Sequence, residues 1–158
     1  MLSISRRLSE SCPSDAQLVL PFDLRSRSRF RARLVSGEEV GVILERGKIL
    51  RGGDLLLAND GRVIQISAAS ETVSCVCSGE PQRLVRAAYH LGNRHVTLQI
   101  GDGWLRYRHD HVLDEMVLGL GLTVAVEEAP FEPESGAYAV SGHHEHDHNH
   151  DDHPDHSH

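Results

Sequence analysis

Eight of the last sixteen residues, HHEHDHNHDDHPDHSH (143–158), are His, and five of the others are Asp or Glu. Neutral imidazole suits Ni, Zn and Cu, and carboxylates add charge and hard oxygen donors. Without fixed spacing these residues do not form one site of defined geometry. They form many overlapping weak sites, and binding must offset the entropy lost when the chain is ordered. Several loosely held ions are therefore expected, with uptake lost as pH falls and the imidazoles protonate. A purification tag, or a purely solvating tail, is the competing reading. A common tag is an unbroken His run, whereas His here alternates with Asp, Glu, Asn, Pro and Ser. That favours native metal binding without choosing the metal.

Upstream, Asp110 can cap a helix that opens at His111. The positive helix end disfavours imidazolium and keeps the ring available as a ligand, while Asp110 and Asp114 push the other way. One imidazole does not hold a metal firmly, but a twofold dimer would set two copies opposite each other. The plainer reading of His111 is a polar surface residue at a helix start. His90, His95 and His109 read first as structural, hydrogen-bonding residues. Cys75 and Cys77 form a C-x-C pair, and with no second pair they read as small hydrophobes rather than a zinc site.

Arg25, Arg27, Arg29, Arg31 and Arg33 fall at every second position, a spacing that on a strand lines one face with guanidinium groups. An acidic partner or phosphate would suit such a face, and so would plain solvent. Nucleic acid is disfavoured, because no aromatics interleave and the body has no basic excess. No G-x-S-x-G, phosphate-loop or H-E-x-x-H motif is found. A binding role is expected, not an enzyme.

The elements that must position these residues follow from patterning. The chain has 158 residues, 39% of them hydrophobic, enough for one ordinary domain or two small ones. Five of its seven net negative charges lie in the tail, so the body has no strong field. No apolar run is long enough for a membrane span, and the start lacks the apolar core of a secretory signal. Three Cys argue against a disulfide framework, and the cytoplasm is the default.

LVLPFD (18–23), RFRARLV (29–35) and VGVILE (40–45) read as strands, with a hairpin connection at 36–39 and another at Asn59-Asp60-Gly61. VSCVC (73–77) is a strand, and PQRLVRAAYHL (81–91) is a helix with Leu84, Val85, Ala88 and Leu91 as its apolar stripe. Gly92-Asn93 suits its stop. HVTLQI (95–100) and WLRYRH (104–109) form a hairpin, residues 111–120 a second helix, and LTVAVEE (122–128) the last strand. The class is α+β. A small β-barrel or sandwich (1–72) is followed by a ferredoxin-like βαββαβ domain (73–140) and a His/Asp-rich tail (141–158), expected to be disordered without ligand.

YHLGNRHVTLQI (89–100), DHVLDEMVLGLGLTV (110–124), APFEPESGAY (129–138) and the His-rich end together resemble the nickel metallochaperones among the urease accessory proteins. The stretch RSRSRFRARLVSGEEVGVILERGKILRGGDLL (25–56) resembles that family's N-terminal domain. The resemblance implies a peptide-binding-like β domain, a ferredoxin-like metal-binding domain and a homodimer, with pairing of dimers around one metal left open. It implies that His111 binds Ni²⁺ at the interface with its symmetry mate. The tail residues nearest the folded part, His143, His144, His146 and His148, would complete or extend the site. It further implies delivery of Ni²⁺ to a urease activation complex of the accessory GTPase and urease apoprotein. Zn²⁺ and Cu²⁺ are expected to bind in vitro too, since Ni²⁺ is not selected by affinity alone. Two other readings stay open: a nickel or zinc store without a delivery partner, and an adaptor that binds peptides through the Arg-lined domain.

Overall fold

A computed structural model describes residues 1–136 of the chain. Its first part is a six-stranded sheet of order β2-β6-β5-β1-β4-β3. The strands are β1 (Leu2–Leu8), β2 (Ala16–Leu20), β3 (Arg29–Arg33), β4 (Glu39–Ile43), β5 (Leu55–Ala58) and β6 (Val63–Ala68). Inward residues at alternate positions, such as Leu2 and Ile4, Val40 and Val42, and Ile64 and Ile66, form one buried core. Beyond β3, the Val35 N–H donates to the Gln17 carbonyl at 3.0 Å. That bond draws the two sheet edges together, so the layer is a nearly closed barrel, as the patterning predicts. Both expected hairpins form, β3 with β4 and β5 with β6. At Gly61 φ is +90°, a left-handed value that favours glycine.

Several expectations are corrected. Strand β1 is not anticipated by the sequence reading, although Leu2 and Ile4 alternate with Ser3 and Ser5; it pairs with β4 in parallel, a long-range contact no local signal reveals. Phe22 and Asp23 are not strand. Pro21 precedes a single helical turn, α1 (Phe22–Arg25), which breaks the alternate-Arg face. Arg25 turns inward and is fully buried, and only Arg29, Arg31 and Arg33 lie on β3.

The second part is a four-stranded sheet of order β10-β7-β9-β8. It runs β7 (Ser70–Cys77), α2 (Pro81–Asn93), β8 (Gln99–Gly101), β9 (Trp104–Arg108), α3 (His111–Gly119) and β10 (Thr123–Pro130). All its pairings are antiparallel, and the first and last strands are neighbours. This is the ferredoxin-like βαββαβ arrangement. Val76, Leu105 and Tyr107 of the sheet pack against Leu84, Ala87 and Leu91 of α2 and Val117 of α3. Val85, placed in the apolar stripe by the sequence reading, is 67% exposed. The true stripe is 84, 87, 88 and 91, the i, i+3, i+4, i+7 pattern, and Val85 lies a residue's rotation outside it. Helix α2 also runs past Gly92 to Asn93, and β8 begins only at Gln99.

A third cluster, Phe22, Val73, Cys75 and Phe131, joins the two parts. Among the described residues no helix is long and apolar enough to cross a membrane.

Candidate metal centre

Asp110 caps α3 as its position predicts. Its Oδ1 accepts from the N–H groups of Val112 at 2.9 Å and Leu113 at 3.2 Å. Two orphan donors of the first turn are thereby satisfied. The cap fixes the backbone of His111, the first helical residue, whose ring is exposed.

His109 directly follows β9, two residues beyond Tyr107, whose side chain packs with the helices. Its Nδ1 lies 3.0 Å from Asp114 Oδ2 and 3.2 Å from Ser74 Oγ. The other oxygen of Asp114 accepts the Tyr107 hydroxyl at 2.6 Å. Burial pushes the Tyr107 hydroxyl far above its ordinary value, and the Asp114 bond adds to the shift. Tyr107 therefore stays protonated and donates to Asp114 throughout the physiological range.

His95 closes α2. The His95 N–H donates to the Gly92 carbonyl at 3.0 Å and the Val96 N–H to the Leu91 carbonyl at 3.1 Å. Leu91 and Val96 share the domain's core. This is the Schellman termination, with His at the left-handed position that glycine normally fills. Its φ of +57° is the only positive value at a non-glycine residue among those described. The imidazole is held outward, exposed, on a strained backbone. Non-glycine residues in such conformations are held there by the surrounding structure, and they cluster at functional sites.

Register brings these residues together. Strands β8 and β9 are antiparallel with Gln99 opposite Arg106. The chain before Gln99 and the chain after Arg106 therefore run to the same end of the sheet. His95, His109 and His111 all lie at that end. The C-terminal segment follows: Glu132 N–H donates to Gln99 Oε1 at 3.0 Å and Glu134 N–H to the Leu98 carbonyl at 2.8 Å. The chain thus heads for the same end as it leaves the described region. His143, His144, His146 and His148 lie outside the described residues. Within one copy, no group of three or more His, Cys, Asp or Glu among the described residues is arranged to hold an ion.

Of the three residues expected to hydrogen-bond, His109 does so. The side chains of His90 and His95 have no hydrogen-bond partner among the described residues, and His90 instead meets the edge of Tyr89 with ring centroids 5.3 Å apart. The sequence reads His95 as a structural residue, and the signal that sets it apart is a His where the helix stop calls for Gly. The Cys75 thiol donates to Glu127 at 2.8 Å and accepts from Arg106 Nε at 3.1 Å. Burial and Glu127 push this thiol up, so it is held protonated.

Two family models cover the chain: the UreE urease accessory protein N-terminal domain over residues 7–69, and its C-terminal domain over residues 71–158. The chain is 59% identical over 138 residues to a urease accessory protein UreE of Alkalilimnicola ehrlichii, covering 87% of this chain and 85% of that one. A protein of the same name from Nitrosospira multiformis is 50% identical over 146 residues, covering 92% and 83%. One from Pseudomonas putida is 54% identical over 144 residues, covering 90% and 89%. The matches span both sheets, the His-bearing end and the His-rich tail, and the chain belongs to the UreE family of urease accessory proteins.

Proposed function

We propose that the chain is a nickel metallochaperone that takes up Ni²⁺ and passes it to the urease activation complex for assembly of the metal centre. The observation that carries this reading is the convergence of three histidines, His95, His109 and His111, and the tail-bearing segment at one end of the ferredoxin-like sheet. Imidazole is a good ligand for Ni²⁺, and the set within one copy is incomplete. An incomplete set suits cargo that must be released. A homodimer supplies the remaining ligands, with His111 and His95 of each copy meeting their symmetry mates. His143, His144, His146 and His148 of the tail capture the ion and extend the site. Zn²⁺ and Cu²⁺ compete for the same donors in vitro, so partner docking and nickel availability supply selectivity.

The division of labour follows the chain. Residues 1–69 form the β domain that meets partner proteins, 70–140, beginning with β7, hold the metal, and 141–158 feed it. The direct recipient is the urease accessory GTPase bound to urease apoprotein in the cytoplasm. No chemistry is catalysed; ligand exchange is the whole mechanism.

Nickel titration by calorimetry, with mass in solution followed at each step, tests the reading. His111→Ala and His95→Ala should each weaken the tightest site while leaving several weaker ones. Truncation after Gly142 should cut the number of ions bound and leave the dimer intact. Unchanged tight binding in both point variants would sink the interface site. Deleting the gene should abolish urease activity in a way that excess nickel rescues. Nickel sensitivity with normal urease would mark a store instead.

A further inference from the structure

Asp114 is almost enclosed, with its side chain 13% exposed, and both its oxygens are used. One takes the Tyr107 hydroxyl and the other faces His109 Nδ1. Tyr107 is itself fully buried and belongs to the core of the ferredoxin-like domain. The carboxylate is therefore fixed from below by the core and presented to one nitrogen of one imidazole. An ionised carboxylate only accepts, so the ring nitrogen facing it carries the proton. His109 is then an Nδ1–H imidazole whose Nε2 holds the lone pair. The ring is 38% exposed, with Nδ1 taken by Asp114 and Ser74. Metal-binding imidazoles are commonly arranged this way, with the second nitrogen donating to a carboxylate that sets tautomer and orientation.

We propose that Asp114, anchored by Tyr107, is a positioning residue that locks His109 in the Nδ1–H form and so presents its Nε2 as a nickel-binding atom beside His111. The proposal rests on the reading of this end of the sheet as the nickel site. Asp114 is the fourth residue of α3, whose first is His111. A single helix turn, pinned by the Asp110 cap and by Asp114, thus sets both imidazoles. Ser74, buried on the neighbouring strand, limits rotation of the His109 ring from the other side.

Two measurements on the full chain test it. The imidazole ¹⁵N shifts of His109 in the metal-free protein report the tautomer without any variant; Nδ1–H is expected, and Nε2–H overturns the proposal. Nickel titration then compares His109→Ala with Asp114→Asn. Both should weaken the tight site, Asp114→Asn by about 10–100-fold, at unchanged stoichiometry, and Asp114→Asn should shift the ring toward Nε2–H. A loss in His109→Ala with full affinity in Asp114→Asn overturns the positioning role and leaves the nickel site standing. Full affinity in His109→Ala overturns the proposal at its base, by showing that this imidazole does not hold nickel.

Discussion

Asp110 and Asp114 bracket one turn of helix and hold it in different ways, Asp110 through the backbone and Asp114 through side chains. A cap is a local device, and Asp before an apolar-periodic run announces it. Asp110→Ala should cost about 1 kcal/mol, seen as a lowered melting temperature, and should loosen His111 along with the turn. The role of Asp114 depends on Tyr107 and His109, which reach it only after strand β9 packs under α3. No spacing rule foretells that contact. The same limit held for Cys75, whose strand position was readable but whose Glu127 and Arg106 partners were not. The partnered, raised thiol should resist alkylation. Treatment with iodoacetamide near neutral pH should modify exposed Cys12 and Cys77 well before Cys75, as peptide mass mapping would show. Equal rates at all three would contradict the buried, protonated thiol.

At the scale of elements, the two helices and the later strands were readable because their apolar periods are clean, and the errors fall where chain direction changes. Pro21 turns an expected strand into α1, and the end of α2 slides from Leu91 to Asn93. That slide moves the left-handed cap position onto His95. The conformation costs a residue with a side chain about 1 kcal/mol relative to glycine. His95→Gly should therefore raise thermal stability by roughly that amount while removing an imidazole from the candidate metal end. Stability gained as nickel affinity falls would mark His95 as kept for binding. A variant that is less stable would mean the imidazole stabilises the cap, and the strain argument would fail. Strand β1 was missed for a different reason: its parallel partner β4 is distant in sequence, and short alternation without a hairpin signal is weak on its own.

For the whole molecule, what was least legible is how the barrel and the ferredoxin-like domain are joined, because the joint is a charge that the sequence places on the surface. Arg25, expected on an exposed strand face, is fully buried between the two parts. Its guanidinium donates to the carbonyls of Leu20 at 3.0 Å, Leu50 at 3.2 Å and Phe131, and pairs with Glu132. Glu132 also accepts from the Gly52 N–H at 3.2 Å, while its own N–H reaches Gln99 beside the candidate metal end. Burial disfavours the cation, and Glu132 is the main group that restores it. One ion pair thus ties the barrel to the segment from which the tail departs. Breaking a buried pair by removing one partner typically costs about 3–5 kcal/mol, and Arg25→Met should lose stability on that order. The single tryptophan, Trp104, reports only on the second sheet, whereas circular dichroism sees both. In urea the two probes should coincide for the native chain and separate in Arg25→Met, because two halves without their joint no longer unfold as one unit. Glu132→Gln, which keeps a hydrogen-bond acceptor but leaves Arg25 without its nearest counter-charge, should fall between. Coincident transitions at the native midpoint in Arg25→Met would show that the remaining contacts, the apolar cluster of Phe22, Val73 and Phe131 and the Arg108–Asp23 pair, hold the domains together without Arg25.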